Sequence, residues 1–562
     1  MLRAMSDTQI HKSETLEHLG LVAGMFDELG IGDLVDELVP QDLSQRNVSV
    51  GQALKAMVLN GLGFANRRLY LMPEFFRNKP TERLVGAGVS PEHLNDDALG
   101  KALDTLHAFG LTQLYRSIAR QAAERLGLGG SGVKMVHLDT TSFHVDGQYN
   151  SEECELLDDF DENAGVIRVS KGYSRDHRED LNQVVLELIT ESRANLPMMM
   201  RPLSGNASDK TSFEDAIERH IDQLRGDDDG PSIVVIDSAG FTRGCLAACQ
   251  RRGLRWVMSV PSTVGEAKQR LEEVADAFEE LRPLAEGYRY GAFWTSYAGV
   301  EQRWLVIYSE AARERAAKRV DKELIKQGDE ERKAFDELRR QRFHCPQDAW
   351  GALAAFRGRL KVLEVHGADV VERRRYKSAG KPAADAVPES VSYHLDGVLA
   401  APIAVRGRRL VRRSCFIVAT NELDEGALGD AEVLRAYKGQ SGKVERGFRF
   451  LKDPMFLAST LYLKRVERVM ALLMVMTVCL LVYAALEYRI RQSLAEHEES
   501  VPDQKGKPTR RPTAKWVFEL FMDVHLLTIT TEKTIRTLVL NLREELKRLL
   551  KLMGPAYVEL YS

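Results

Sequence analysis

Cysteine is scarce in this chain: six in 562 residues, with only Cys245 and Cys249 close together. Four apart on a helix is not a zinc spacing, and no histidine pair completes it. The thiols therefore read as buried or inert, and a reduced cytoplasm fits them best. Charge of one sign is lacking too. A net charge of −4 excludes a histone-like, wholly basic binder of nucleic acid, although local patches rather than totals govern DNA contact. Basic runs do occur, as VRGRRLVRR (405–413), ERRRYK (372–377) and KGKPTRRPTAK (505–515), and acidic stretches such as EECELLDDFDE (152–162) offset them. Each basic run reads at least as well as solvated surface. The opening MLRAMSDTQIHKSE lacks the apolar core of a secretory signal. LGLGGSG at 126–132 lacks the Lys-Ser/Thr of a phosphate-binding loop and reads as a linker. Internal repeats are not evident. Long apolar runs are limited to one, VMALLMVMTVCLLVYAAL at 469–486, whose 18 uncharged residues reach the threshold for a membrane span. It directly follows a charged segment, and a helix apolar all round also suits the centre of a large domain. The expectation is a buried core helix and no membrane.

What is present is an ordinary globular composition, 44% apolar and 28% charged, over a length that exceeds one core. Residues 1–130 read as a helical N-terminal domain, for DNA binding or dimerisation. Apolar spacing predicts helices over 50–64, with Ser49 as N-cap, and over 96–109, capped by Asn95. From 131 to 261 the pattern turns to strands: VKMVHLDTTSFHVDG, GVIRVSKGYS (165–174), VVLELITES (184–192) and a short PMMMRPL (197–203). SGNASDK (204–210) introduces a helix over 211–225. The short, unbroken apolar run SIVVID (232–237) and another buried strand, LRWVMSV (254–260), flank the helix FTRGCLAACQRRG. Antiparallel strands, a helix, then strands alternating with helices is the order of a ribonuclease-H-like α/β core. Residues 262–414 read as an inserted domain of charged helices (266–282, 310–343) and β-rich stretches (359–376, 391–410). The core resumes over 415–495 from FIVATNELD, and 496–562 form a C-terminal segment of helix and strand.

Three segments carry chemistry. On an extended strand, His137, Asp139, Thr141 and Phe143 share one face, while His144 and Asp146 fall on the other, so the apparent His/Asp cluster does not converge. His137 reads better as a structural neighbour than as a ligand. Asp237 ends an apolar strand, where open α/β sheets place ligand groups, and it equally suits the cap of the next turn. In YKGQSGKVERGFRFLKD, a helix over 441–452 puts Glu445 on one face with Arg449 and Lys452. For both cations, surface pairing is the competing reading. Three carboxylates gathered at one place repel unless cations join them. Oxygen ligands suit two Mg²⁺ ions, with Mn²⁺ able to substitute, and such a pair organises in-line displacement at phosphorus.

With HLDTTSFHVDG, KGYSRDHREDLNQVVLEL, SGNASDK, VVIDSAGF, ATNELD and the segment ending LKDP, most of the chain resembles the DDE-type bacterial insertion-sequence transposases. The likeness is to the group with a β-rich insertion between the second Asp and the Glu. It implies a ribonuclease-H-like fold, with Asp139, Asp237 and Glu445 as catalytic and metal-binding residues. It also implies a dimer that cleaves double-stranded DNA at terminal inverted repeats and joins it to target DNA, in a bacterial cytoplasm at the nucleoid. The family's Tyr, Arg, Glu, Lys signature is matched by the six-residue gap from Glu445 to Lys452. Tyr437 stands eight residues before Glu445 instead of seven, and Gln440 occupies the Arg position. By the same resemblance, Lys452, Arg449, Tyr437, Lys171, Arg175, His177 and Arg178 are candidate DNA contacts, with a solvated loop as the other reading of 171–180. A nuclease of this fold without strand transfer would use the same carboxylates. An inactive, transposase-derived DNA-binding protein is the third reading.

Overall fold

The computed structural model describes residues 10–64, 68–128, 135–145, 166–172, 178, 180–221, 233–377, 386–452, 463, 465–531 and 534–562. The chain divides into two compact units. One comprises Met1–Met258, Ala298–Val300 and Leu434–Ser562, the other Ser259–Tyr297 and Glu301–Val433.

The first unit opens with β1 (Ile10–Thr15), which the helical reading of this region did not foresee. Seven helices follow: α1 (Leu19–Glu28), α2 (Ile31–Leu38), α3 (Val50–Gly61), α4 (Met72–Phe76), α5 (Thr81–Leu84), α6 (Asp96–Phe109) and α7 (Leu111–Arg125). Both expected caps are made. Ser49 Oγ accepts from the Gln52 N–H at 3.0 Å while Gln52 Oε1 accepts from the Ser49 N–H. Asn95 Oδ1 accepts from the Ala98 N–H at 3.0 Å. A cap of this kind is worth about 1 kcal/mol.

The core of this unit runs β2 (Met135–His144), β3 (Gln183–Glu191), β4 (Pro197–Leu203), α8 (Asp209–Asp215), β5 (Ile233–Ile236), α9 (Arg243–Arg251) and β6 (Arg255–Val260). Sheet order is β4-β3-β2-β5-β6. The first three strands are antiparallel, and β5 and β6 lie parallel to β2. That is the ribonuclease-H-like arrangement. The expected strand over 165–174 is corrected: among its described residues only Ser170 bridges, to Gln183. Its apolar pattern is real, since Ile167 and Val169 are buried. Both edges of β3 are already taken by β2 and β4, so only the end of the strand is left to pair. The two faces of the sheet differ. Leu188 and Met200 belong to the large apolar core. On the opposite face the buried Glu187 bonds Arg201 at 3.0 Å and also Ser212, while Arg201 bonds Asp215. Burial pushes the Glu187 carboxyl up, and the Arg201 guanidinium opposes it.

The second unit contains α10 (Gly265–Asp276), β7 (Arg282–Ala285), β8 (Tyr288–Tyr297), β9 (Val300–Ser309), α11 (Glu310–Arg340) and α12 (Pro346–Arg357). It continues with β10 (Glu364–Arg375), β11 (Ser390–Ala400), α13 (Ile403–Ser414) and β12 (Cys415–Thr420). Strands β12, β9, β8 and β7 are neighbours in that order. The hairpin of β8 and β9, absent from the sequence reading, turns at Ala298-Gly299, where both φ angles are positive (55° and 79°). Such a turn matches the twist of paired strands. The β10–β11 ribbon packs on α11 and α12 around Phe335, Leu353 and Leu395. The β reading of 391–410 fails after Ala400: Pro402 precedes a helix that carries the basic run 405–413. Four of its five arginines are neutralised within the unit, Arg406 on Asp321, Arg408 on Asp276, Arg412 on Glu272 and Arg413 on Glu323.

The chain then enters α14 (Asp430–Leu451) and α15 (Val466–Glu496). The latter is the apolar helix, long enough to cross a membrane by length and composition, yet its most apolar window is 94% buried. Helices α1, α3, α6 and α7 surround it, together with α16 (Ala514–Leu520) and α17 (Glu544–Met553). Between these lie the short pair β13 (Val501–Pro502) and β14 (Pro508–Thr509), then β15 (His525–Thr530) and β16 (Ile535–Leu540). β15 pairs with both β1 and β16. The last helix, α18 (Pro555–Leu560), lays Tyr557 and Tyr561 against Gly24 and Gly20 of α1.

Candidate active site

The register of β2 against β5 is what builds the site. Leu138 is level with Ile236, the last residue of β5, so the next residues along the chain are Asp139, still within β2, and Asp237, just past the end of β5. Neighbouring strands lie about 4.8 Å apart, and level residues of a parallel pair project to the same face. Two carboxylates that are 98 residues apart in sequence thus stand side by side where β5 ends. Asp139 is 3% exposed and Asp237 half-buried. Asp139 Oδ1 accepts from the Thr140 N–H at 2.8 Å. Asp237 Oδ1 accepts from the Ala239 N–H at 2.9 Å, capping the turn Ser238–Gly240.

Asp139 is level with Leu188, and Leu188 with Met200, so it shares their face of the sheet. The apolar core on that face also holds Phe448, Phe450 and Leu451 of α14. Helix α14 is continuous from before Tyr437 to Leu451, as the sequence implied for its second half. The side chains of Gln440 and Glu445 lie outside the described residues, and the helix places only their backbone. With about 100° per residue, positions 449 and 452 fall within about 40° of position 445, whereas 437 falls about 80° round. The extra residue between Tyr437 and Glu445 thus moves the tyrosine a quarter-turn off the row. Tyr437 is half-buried, Arg449 exposed, and Lys452 follows the last turn with its N–H bonded to Phe448 O at 3.0 Å.

The other candidates divide. Lys171 is exposed, and its neighbour Gly172 closes on Gly205 of the SGNASDK loop, where a Cβ would stand 2.1 Å from the Gly205 carbonyl oxygen. The two motif-bearing loops are thus packed together beside Gln183, which is level with His144 at the end of β2. Arg178 holds Asp180 through two bonds of 2.9 Å, and both are exposed. Arg175 and His177 lie outside the described residues, as does Asp146. His137 is buried and bonded to Ser192 Oγ at 3.0 Å, as a structural histidine should be. One partnership escaped the sequence reading: Thr140 Oγ1 donates to Asp209 Oδ1 at 2.6 Å. Asp209 sits in a motif singled out by resemblance, but nothing in its spacing joined it to β2.

Two adjacent oxygen donors, one nearly buried, repel each other and fit hard divalent cations. Among the described residues no three His, Cys, Asp or Glu gather as a metal site, and the third expected carboxylate is Glu445. Residues 137–482 match the family model described as "Transposase DDE domain", and residues 11–120 match a domain of unknown function, DUF4277. A search of curated proteins finds none that matches. Among solved structures, a cryo-EM structure of the piggyBac transposase synaptic complex with hairpin DNA is similar over 91% of this chain and 82% of that chain. The identity is 9% and the TM-score 0.39, too slight a likeness to carry weight.

Proposed function

The chain belongs to the DDE transposase family, enzymes that use divalent metal ions, and from that premise we propose that it cleaves DNA at the terminal inverted repeats of a mobile element and joins the ends to target DNA by cut-and-paste. The observation that carries this reading is the parallel ladder that sets Leu138 level with Ile236, each the residue just before an aspartate. With Glu445 of α14 as the third carboxylate, these residues would hold two Mg²⁺ ions, or Mn²⁺ in their place. Bound there, the ions would supply activation of the attacking oxygen and stabilisation of the leaving 3′-oxygen. Asp139 would serve as a ligand to both ions. Arg449 and Lys452, on the row of position 445, hold the phosphates on either side of the scissile bond. Lys171, Arg175, His177 and Arg178 engage the backbone of the terminal duplex, and Tyr437 stands by the DNA end. Two copies act together, one on each element end, at the nucleoid.

Asp139→Ala, Asp237→Ala and Glu445→Ala are each expected to abolish Mg²⁺-dependent cleavage of a terminal-repeat duplex and to leave DNA binding intact. Near-normal cleavage by any one of them removes that residue from the triad. Joining of a pre-cleaved 3′ end to a plasmid target separates transposition from simple nuclease action.

A further inference from the structure

The bond between Thr140 and Asp209 lies behind the proposed site, on the face of β2 opposite to Asp139. Thr140 is 1% exposed and is bonded to both aspartates. Its hydroxyl donates to Asp209 Oδ1 at 2.6 Å, and its backbone N–H donates to Asp139 Oδ1 at 2.8 Å. Hydrogen bonds to a carboxylate are short and roughly twice as strong as neutral ones. Asp209 begins α8, which is fastened to the sheet further along: Ser212 donates to Glu187, and Arg201 joins Glu187 to Asp215. The carboxylate gripping Thr140 is therefore itself held on a fixed support.

We propose that Asp209 and Thr140 are positioning residues that set the orientation of the Asp139 carboxylate for divalent cations. The idea rests on the reading of Asp139 as a metal ligand. The Asp209 carboxylate fixes the Thr140 hydroxyl and, through it, the peptide whose N–H holds Asp139 Oδ1. Without that grip the peptide can turn, and the carboxylate must be ordered at the moment of binding. Losing such a supporting bond typically lowers metal affinity by about 10–100-fold.

The test uses full-length Thr140→Val, Thr140→Ser, Asp209→Ala, Asp209→Asn and the Thr140→Val/Asp209→Ala double variant. Mn²⁺ binding is measured by calorimetry without DNA, and terminal-repeat cleavage is followed against Mg²⁺ concentration. Thr140→Val and Asp209→Ala should each weaken Mn²⁺ binding, and raise the half-saturating Mg²⁺, by about tenfold or more. Saturating metal should restore much of the rate. Thr140→Ser and Asp209→Asn, which keep donor and acceptor, should stay near wild type, and the double variant should be no worse than either single. Wild-type Mn²⁺ affinity in folded Thr140→Val and Asp209→Ala overturns the proposal, as do losses that add in the double variant. So does a loss of activity that follows thermal stability with an unchanged Mg²⁺ midpoint. Cleavage retained by Asp139→Ala would sink the underlying site reading instead.

Discussion

His18 shows how one buried side chain makes the fold sensitive to acid. It is fully enclosed, stacked on Phe518 with ring centroids 4.3 Å apart and bonded through Nε2 to Leu62 O at 2.8 Å. Burial lowers its pKa from 6.5 to about 4. The unfolded chain therefore binds a proton between those values that the folded chain refuses. The contribution is complete above pH 6.5 and is lost as pH falls toward 4, by about 3 kcal/mol. Urea denaturation across that range should show His18→Phe losing less stability per pH unit than wild type; equal slopes would remove His18 as the cause. A second residue-scale expectation concerns Gly205. A Cβ there would stand 2.1 Å from Gln183 O and 2.5 Å from Ser170 O, both backbone atoms. Gly205→Ala should cost about 1–3 kcal/mol in urea denaturation, and a neutral effect would mean that the loop relaxes freely. At this scale the places of Asp139 on β2 and of Asp237 at the end of β5 were legible because strand parity and a strand end are local properties. The bond of Thr140 to Asp209 was not, because 69 residues separate them and only the seating of α8 brings them together.

Elements were legible where their periodicity was undivided. Helix α15 reads as apolar all round, and it is enclosed because other helices of its unit cover every side. Leu481→Ala, at a fully buried position, should destabilise the protein by about 2–5 kcal/mol in denaturant titration. Helix α13 is the opposite case. Its arginines resemble a nucleic-acid patch in sequence, yet Arg406, Arg408, Arg412 and Arg413 each carry a carboxylate partner from α10 or α11, and Arg409 bonds Gln327 Oε1 at 2.8 Å. Arg406→Ala, Arg408→Ala and Arg412→Ala combined should leave the salt dependence of DNA binding at the wild-type slope. A slope shallower by about one per arginine would place them on phosphates after all. The strand reading of that stretch failed because Pro402 and the helical spacing of Leu410 outweigh the β-branched residues before them. The hairpin of β8 and β9 passed unread between two long charged helices, although its alternation and its Ala-Gly turn were both present.

At the scale of the whole molecule, the first unit is assembled from both ends of the chain. Tyr561 Oη donates to Glu17 O, Tyr557 Oη to Glu28 Oε2 at 2.6 Å, and Arg83 Nη1 donates to Ser562 O at 2.7 Å. Removing residues 544–562 should uncover α1, lower Tm and open the segment 10–60 to limited proteolysis. An unchanged digestion pattern would show that the N-terminal helices stand alone. No local pattern announced this closure, since a strand of six residues at 10–15 finds its partner only at 525–530. The interlocking has a consequence for synthesis. At roughly 5–20 residues per second, a ribosome needs about half a minute to two minutes to reach Tyr561 after making Glu17. During that interval β1 and α1 have no finished surface to join. Folding of this unit cannot proceed in the order of translation, and a product released early by a nonsense codon lacks the partners its opening segment requires. Translation as far as Tyr561 is thereby built into completion of the fold.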